Sequence, residues 1–224
     1  MKKKVAVLLS GCGVYDGAEI YETVLTLLRL DEKNVEYQCI APDLPQRHVI
    51  DHCKGEEVSE SKAGGAHARN VLQEAARLAR GEILPLDQAQ PDDYDAVILP
   101  GGFGVAKNFS SFAEEGAECS VEPSIRQFVQ AFYQARKPIG LMCIAPAIAA
   151  RLIAPGILCT VGKDAGVEGA MISMGSLHKT CDVDDIVVDN THKVVSTPAY
   201  MLATRITEAR DGIFKLVDKV LELA

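Results

Sequence analysis

The chain has 224 residues, 48% hydrophobic and 24% charged, with a formal net charge of −8. This length fits one α/β domain over residues 1–224, with a core large enough to need neither disulfides nor metals. The acidic balance argues against a nucleic-acid backbone or an anionic membrane surface as partner. No apolar run approaches the ~20 residues of a membrane span.

The N-terminus imitates a signal peptide, with Lys2-Lys3-Lys4 followed by VAVLL and a cysteine. Its apolar run, Val5 to Leu9, is shorter than the roughly 7–15 residues of a secretory core. KVAVLLS (4–10) therefore reads as a parallel strand buried on both faces. A helix follows from Ala18 to Leu30, with Ile20, Val24, Leu27 and Leu28 predicted on its inner face. VEYQCIA (35–41) is a second strand, stopped by Pro42. Residues 59–70 (SESKAGGAHARN) contain an Ala/Gly-rich insertion near 62–68, read as a mobile loop with a solvated His67. A helix over 69–80 turns Val71, Leu72, Ala75, Ala76 and Leu78 inward and ends at Gly81.

YDAVILP (94–100) is the next strand, closed by Pro100 and the turn Gly101-Gly102-Phe103-Gly104. A helix over 124–135 leads to a strand over 138–142, then Cys143 and a short helix from Ala145. Strands are predicted at 157–162, 185–189 and 193–198, the last two joined through Asn190 as an antiparallel hairpin. A helix over 199–223 closes the chain. Such alternation predicts a mostly parallel sheet with helices on both faces and a C-terminal hairpin.

Seven cysteines (Cys12, Cys39, Cys53, Cys119, Cys143, Cys159 and Cys181) stand singly, without a C-x-x-C pair. No metal site and no disulfide framework are expected, and a reducing, cytoplasmic location fits best. Most of these thiols are expected to be small buried hydrophobes.

Ligands of an open parallel sheet bind at the carboxyl ends of its strands. GCGVYDGAE, PGGFG and MCIAPA all fall there. Cys143 follows a strand directly and precedes a helix, the position of a nucleophile elbow. A helix N-terminus beside the sulfur would favour thiolate; the plain alternative is a core cysteine like Cys39 or Cys159. Gly101, Gly102 and Gly104 let the backbone come close, so the amides of Gly102 and Ile144 form a candidate anion-stabilising pair. Alternatively, the glycines only make a tight turn. Lys107 and Asn108 are candidates to complete the pocket, against the ordinary reading of a solvated lysine.

Glu19 stands at the start of the first helix, as a candidate acid or as a simple partner of the helix dipole. GCGVYDG also resembles a dinucleotide loop, one residue off the usual spacing, with Asp43 as a possible ribose acid. A nucleotide-binding function therefore stays open at this stage.

The motifs SGCGVYDGAEIYE, APDLPQRHVIDH, RNVLQEAARLARGEI, PGGFGVAKN, KPIGLMCIAPA and VVSTPAYM together carry a resemblance. The chain resembles the ElbB-type, glyoxalase-like branch of the ThiJ/PfpI superfamily, relatives of class I glutamine amidotransferase domains. The resemblance covers essentially everything except 62–68. It implies a flavodoxin-like three-layer sandwich, Cys143 as the elbow cysteine and Glu19 as the first-helix acid. It also implies small reactive aldehydes as substrates, with glyoxal going to glycolate and methylglyoxal to lactate. No cofactor and a homodimer are implied as well.

One position departs from the superfamily. Many members carry His directly after the nucleophile, where this chain has Ile144. No His-x-Glu pair replaces it, and His178 and His192 read as surface or packing residues. Amidase and protease chemistry, which must protonate a leaving amine, is disfavoured. Thiolate attack on an aldehyde has no such leaving group, and Glu19 could carry the proton between neighbouring carbons. A carboxylate beside the thiol raises its pKa, so the expected pair is thiolate with protonated Glu19, its proton bonded to sulfur. The alternative is a non-enzymatic redox or stress-response protein whose Cys143 is oxidised to a sulfenic or sulfinic acid.

Overall fold

A computed structural model describes residues 2–58 and 65–224. The elements in chain order are β1 (Lys4–Leu8), α1 (Ile20–Glu32), β2 (Glu36–Ala41), β3 (Ile50–Asp51), β4 (Glu56–Glu57), α2 (Val71–Leu78) and β5 (Ile83–Pro85). They continue as β6 (Ala96–Leu99), α3 (Phe103–Lys107), α4 (Phe112–Glu115), α5 (Pro123–Gln134), β7 (Ile139–Met142) and α6 (Ala149–Leu152). The chain closes with β8 (Leu158–Cys159), α7 (Ala165–Ser173), β9 (Leu177–His178), β10 (Val187–Asp189), β11 (Val194–Thr197) and α8 (Ile206–Leu223).

Seven strands form the central sheet in the order β10-β11-β7-β6-β1-β2-β5. All neighbours are parallel except the β10–β11 hairpin, which is the hairpin expected from 185–198. The unbroken apolar runs of β1, β6 and β7 are buried on both faces, as parallel strands require. Right-handed crossovers explain the layering. The path from β1 through α1 to β2 moves one way across the sheet, and that from β6 through α5 to β7 moves the other way. The two helices therefore land on opposite faces. α8 packs beside α1 and against β7 and β11, with Leu216 and Val220 over Gly140. This is the mostly parallel, flavodoxin-like α/β fold expected.

Several local readings change. The predicted strand at 157–162 shrinks to β8, which leaves the central sheet and pairs with β9. α7 (AGVEGAMIS) carries two glycines and no one-sided apolar pattern, so periodicity cannot reveal it. The final helix begins at Ile206, after a single 3₁₀ turn at Ala199–Met201. The insertion near 62–68 lies partly outside the described residues; His67 is described and is exposed.

The largest change concerns α1, which is rotated relative to the sequence expectation. Ile20, Val24 and Leu28 face outward, with Val24 48% exposed, and Tyr21 beside them is 51% exposed. Glu22, Thr23, Leu25, Thr26 and Leu30 face inward. The threonine hydroxyls donate to Glu19 O and Glu22 O at 2.8 Å, so burying them leaves no unpaired donor.

Candidate functional site

β7 delivers Cys143 into a left-handed backbone conformation, with φ +59° and its amide donating to Thr197 O at 3.1 Å. L-residues rarely hold that geometry, and such strain concentrates at elbows that present a nucleophile. Only a four-residue 3₁₀ turn (Ala145–Ile148) and the one-turn α6 follow. The short helix expected from Ala145 is therefore present, but its first turn is 3₁₀ rather than α.

β7, β6 and β1 are adjacent in the sheet, so their carboxyl ends bring MCIAPA, PGGFG and GCGVYDGAE to one edge. Gly101 and Gly102 permit the contact. A Cβ on Gly101 would collide with that of Cys143 and stand 2.9 Å from Glu22 Oε2. Gly102 has φ +91°, and a Cβ there would run into Gly17 O and lie 2.5 Å from Glu19 N. The N–H groups of Gly102 and Ile144 both point at the Cys143 sulfur.

The carboxylate at the sulfur is Glu22, not Glu19. Glu22 is fully buried; its Oε2 accepts from Gly101 N at 2.7 Å and its Oε1 from Tyr200 N at 3.2 Å, and its side chain pairs with the Cys143 thiol. Glu19 caps α1 instead, its carboxylate accepting from Glu22 N at 2.7 Å. The physical reason is helical phase. The helix begins at Ile20, so Glu19 is outside it and folds onto its free amides. Glu22 stands in line with Leu25, Thr26 and Leu30 on the inner face.

The charge state differs from expectation too. Burial, and then the Glu22 charge, hold the Cys143 thiol well above its ordinary value, although the two amides pull the other way. Cys143 is only 7% exposed. Burial first, then the Glu19 charge, push Glu22 up to about 7. The resting pair is a thiol donating to a carboxylate poised near neutrality, rather than a thiolate beside a protonated Glu19. Glu19 is itself raised by burial.

The family model described as DJ-1/PfpI matches residues 3–190. The chain belongs to the DJ-1/PfpI family. Among curated relatives, the rat "ES1 protein homolog, mitochondrial" is 46% identical over 99% of this chain and 84% of its own length. The human "Glutamine amidotransferase-like class 1 domain-containing protein 3, mitochondrial" is 45% identical over 98% of this chain and 83% of its own. The crystal structure of an Ehrlichia chaffeensis isoprenoid biosynthesis protein with an amidotransferase-like domain covers 99% of both chains, with 36% identity and a TM-score of 0.90.

These relatives correct the cytoplasmic expectation, since their names point to a mitochondrial location. Unpaired cysteines report a reducing environment but do not distinguish one reducing compartment from another.

In this DJ-1/PfpI chain, Lys107 and Asn108 serve the glycine loop rather than the thiol. Lys107 Nζ donates to Tyr15 O at 2.8 Å, and burial lowers its pKa. Asn108 Nδ2 donates to Ser10 O and Asp16 O at 2.9 and 3.0 Å, and its Oδ1 accepts from Arg47 N at 3.0 Å. Both line a separate groove with Arg47 and Ser110. The dinucleotide reading loses four of the seven amides of the loop: those of Gly13, Asp16 and Gly17 are spent on loop carbonyls and on Ala18 O, and that of Tyr15 on His52. Asp43 accepts from Asn70 at 2.7 Å. His178 is buried between Val161 N and Glu168, and His192 is held by Asp189. Among the described residues, no group of three His, Cys, Asp or Glu is arranged to hold a metal ion.

Sequence reading missed Glu22 and the Tyr200 amide. Glu22 had a signal, its spacing to Leu25 and Leu30. The Tyr200 amide had none, because it acts through the backbone.

Proposed function

We propose that this chain is a cofactor-independent, glyoxalase- or deglycase-like enzyme for small reactive aldehydes, with Cys143 as nucleophile and Glu22 as the acid/base. One observation carries the reading: a fully buried carboxylate with a pKa of about 7, paired with a strained elbow thiol toward which two free amides point. A general acid/base works best when its pKa lies near the operating pH.

The chemistry balances without an external oxidant. As Sγ bonds to one carbonyl carbon of glyoxal, the thiol proton passes to Glu22. Negative charge developing on sulfur and then on oxygen is stabilised by the Gly102 and Ile144 amides. Glu22 returns the proton to that oxygen, giving a hemithioacetal. The Glu22 carboxylate next removes the proton from the sulfur-bearing carbon, which the neighbouring aldehyde acidifies. Delivery of that proton to the adjacent carbon, with the hydroxyl proton passing from the oxygen on the sulfur-bearing carbon to the neighbouring oxygen, gives a glycolyl thioester. Water then cleaves the C–S bond, returning a proton to the thiol and releasing glycolate with its acid proton. The sum is glyoxal plus water to glycolate; methylglyoxal gives lactate by the same route. No amine leaves, so the histidine replaced by Ile144 is not required.

Product analysis with glyoxal and methylglyoxal tests this in wild type, Cys143→Ala and Glu22→Gln. Wild-type rates in Cys143→Ala would overturn it. The redox alternative requires a thiolate for fast oxidation, and the raised thiol pKa weighs against it. Intact mass after mild peroxide distinguishes the two: oxygen added at Cys143 together with negligible turnover would favour the redox reading.

The homodimer is carried forward as a proposal on the outward stripe of α1. Ile20, Tyr21, Val24 and Leu28 form an apolar face. A single helix face of this kind can pair with its own copy across a two-fold axis.

A further inference from the structure

The chain between β5 and β6 contains no α-helix. Pro85 and Pro91 restrict it to two single 3₁₀ turns, Leu86–Gln88 and Pro91–Asp93. That crossover is too thin to complete the helical layer beside α5, and a groove of about 580 Å³ remains between them. It lies against the carboxyl ends of β2 and β5 and shares no lining residue with the Cys143 site.

Its floor is apolar. Leu86, Ala89 and Phe128 are buried core residues, and Pro42, Leu44 and Ala131 extend the surface. α5 contributes Ser124, Gln127, Phe128 and Ala131, spaced so that all four share one helix face. The only charged side chains lining the groove are Asp43, Asp87 and Glu122; no lysine, arginine or histidine is among them. Asp43 also accepts from Asn70.

We propose that this groove binds a small organic ammonium ion with an apolar tail, the tail lying on Phe128, Leu86 and Leu44 and the ammonium among Asp43, Asp87 and Glu122. An apolar slot with a few convergent polar groups is the common form of a small-molecule site. Charge complementarity selects the occupant. An anion would meet three carboxylates, since Lys137, which reaches Pro91, is tied to the carbonyls of Pro91 and Asp92. A neutral ligand would forgo the attraction that a cation gains. The rim carboxylates are in contact with solvent, so each contributes modestly and their effect is screened by salt.

Hexylammonium chloride is the probe, titrated by calorimetry and by amide NMR at low ionic strength, with 1-hexanol and hexanoate as controls. The expected result is saturable one-to-one binding of hexylammonium, with perturbed amides in 86–91 and 124–131. Hexanol should bind about fivefold to tenfold more weakly, from ion-pair strengths near a water-exposed rim, and hexanoate should not saturate. Asp87→Asn combined with Glu122→Gln should bring hexylammonium to the level of hexanol. Ala131→Arg, which fills the slot and supplies a cation, should abolish saturation. Melting temperature and circular dichroism verify that each variant is folded, and Asp87→Asn alone, on an exposed turn, gives a partial loss if the double variant is not. No saturable hexylammonium binding, equal binding of hexanol, or unchanged binding in the folded variants would overturn the proposal. Glyoxal turnover does not enter these readouts, so they are independent of the Cys143 chemistry.

Discussion

The two faces of α1 reverse the usual arrangement of a surface helix. The inner face carries Glu22, Thr23 and Thr26 into the core, while the outer face shows Ile20, Tyr21, Val24 and Leu28 to solvent. A buried polar face persists only where each group has a partner. Here the Glu22 oxygens take two backbone amides and its side chain meets the thiol, while the threonines bond back along the helix. The outer face has no such internal account and fits a surface that meets a second copy. Hydrophobic patterning therefore located the helix but not its orientation. The chemistry is on the face that looks less like a core.

The sharpest break of this comparison removes the thiol that the inner face serves. Cys143→Ala should cut glyoxal turnover by about a thousandfold or more, to the level without enzyme, since no second nucleophile acts in the scheme. Steady-state product assays check it.

Glu22→Gln should follow, with a loss of about a hundredfold or more in kcat. Wild-type activity should rise with pH through a midpoint near 7, as the Glu22 carboxylate forms, and the variant should lack that limb. Stability runs the opposite way. The folded pKa lies above the ordinary carboxylate value, so between those two pH values the folded state holds a proton that the unfolded state has released. The Glu22 contribution to stability is thus most favourable below about pH 4 and is lost as pH rises through 7, by roughly 3 kcal/mol for a shift from 4.5 to about 7. Melting temperatures between pH 5 and 8 should decline less in Glu22→Gln than in wild type.

The outer face is tested by Val24→Glu. Sedimentation should show a dimer for wild type and a monomer for the variant, with little change in melting of the monomeric unit. A monomeric wild type would remove the proposed role of this face.

The smallest effect belongs to Glu19→Gln. The amide oxygen keeps the cap on Glu22 N, but the negative charge that raises Glu22 is gone. The midpoint of the activity profile should move to lower pH, with kcat within about threefold of wild type, as expected for a residue that acts through another. A loss matching that of Glu22→Gln would return the acid/base role to Glu19.

Much of the architecture was legible in the sequence. Continuous apolar runs in β1, β6 and β7 are too short for buried helices and read as strands buried on both faces, and their alternation with helix-period segments points to parallel pairing. Cys143 was legible for the same reason, since a polarisable side chain one residue beyond such a strand must sit at the sheet edge where loops converge. α7 and β9 were not, because short elements held by distant contacts leave no periodic trace. Lys107 and Asn108 lie in the right stretch of sequence, but their side chains turn toward the loop over Ser10 and Asp16.

The sequence by itself determined the parallel α/β sheet, the elbow at Cys143 and the two glycines that let the backbone close on the sulfur, since each follows from local sterics and periodicity. Only the tertiary structure decided which carboxylate meets that sulfur. Glu22 is tolerable in the core because amides 79 and 178 residues away converge on it. Burial then places its pKa near 7 and keeps the thiol protonated, and desolvation of this kind is a property of the assembled fold rather than of any segment.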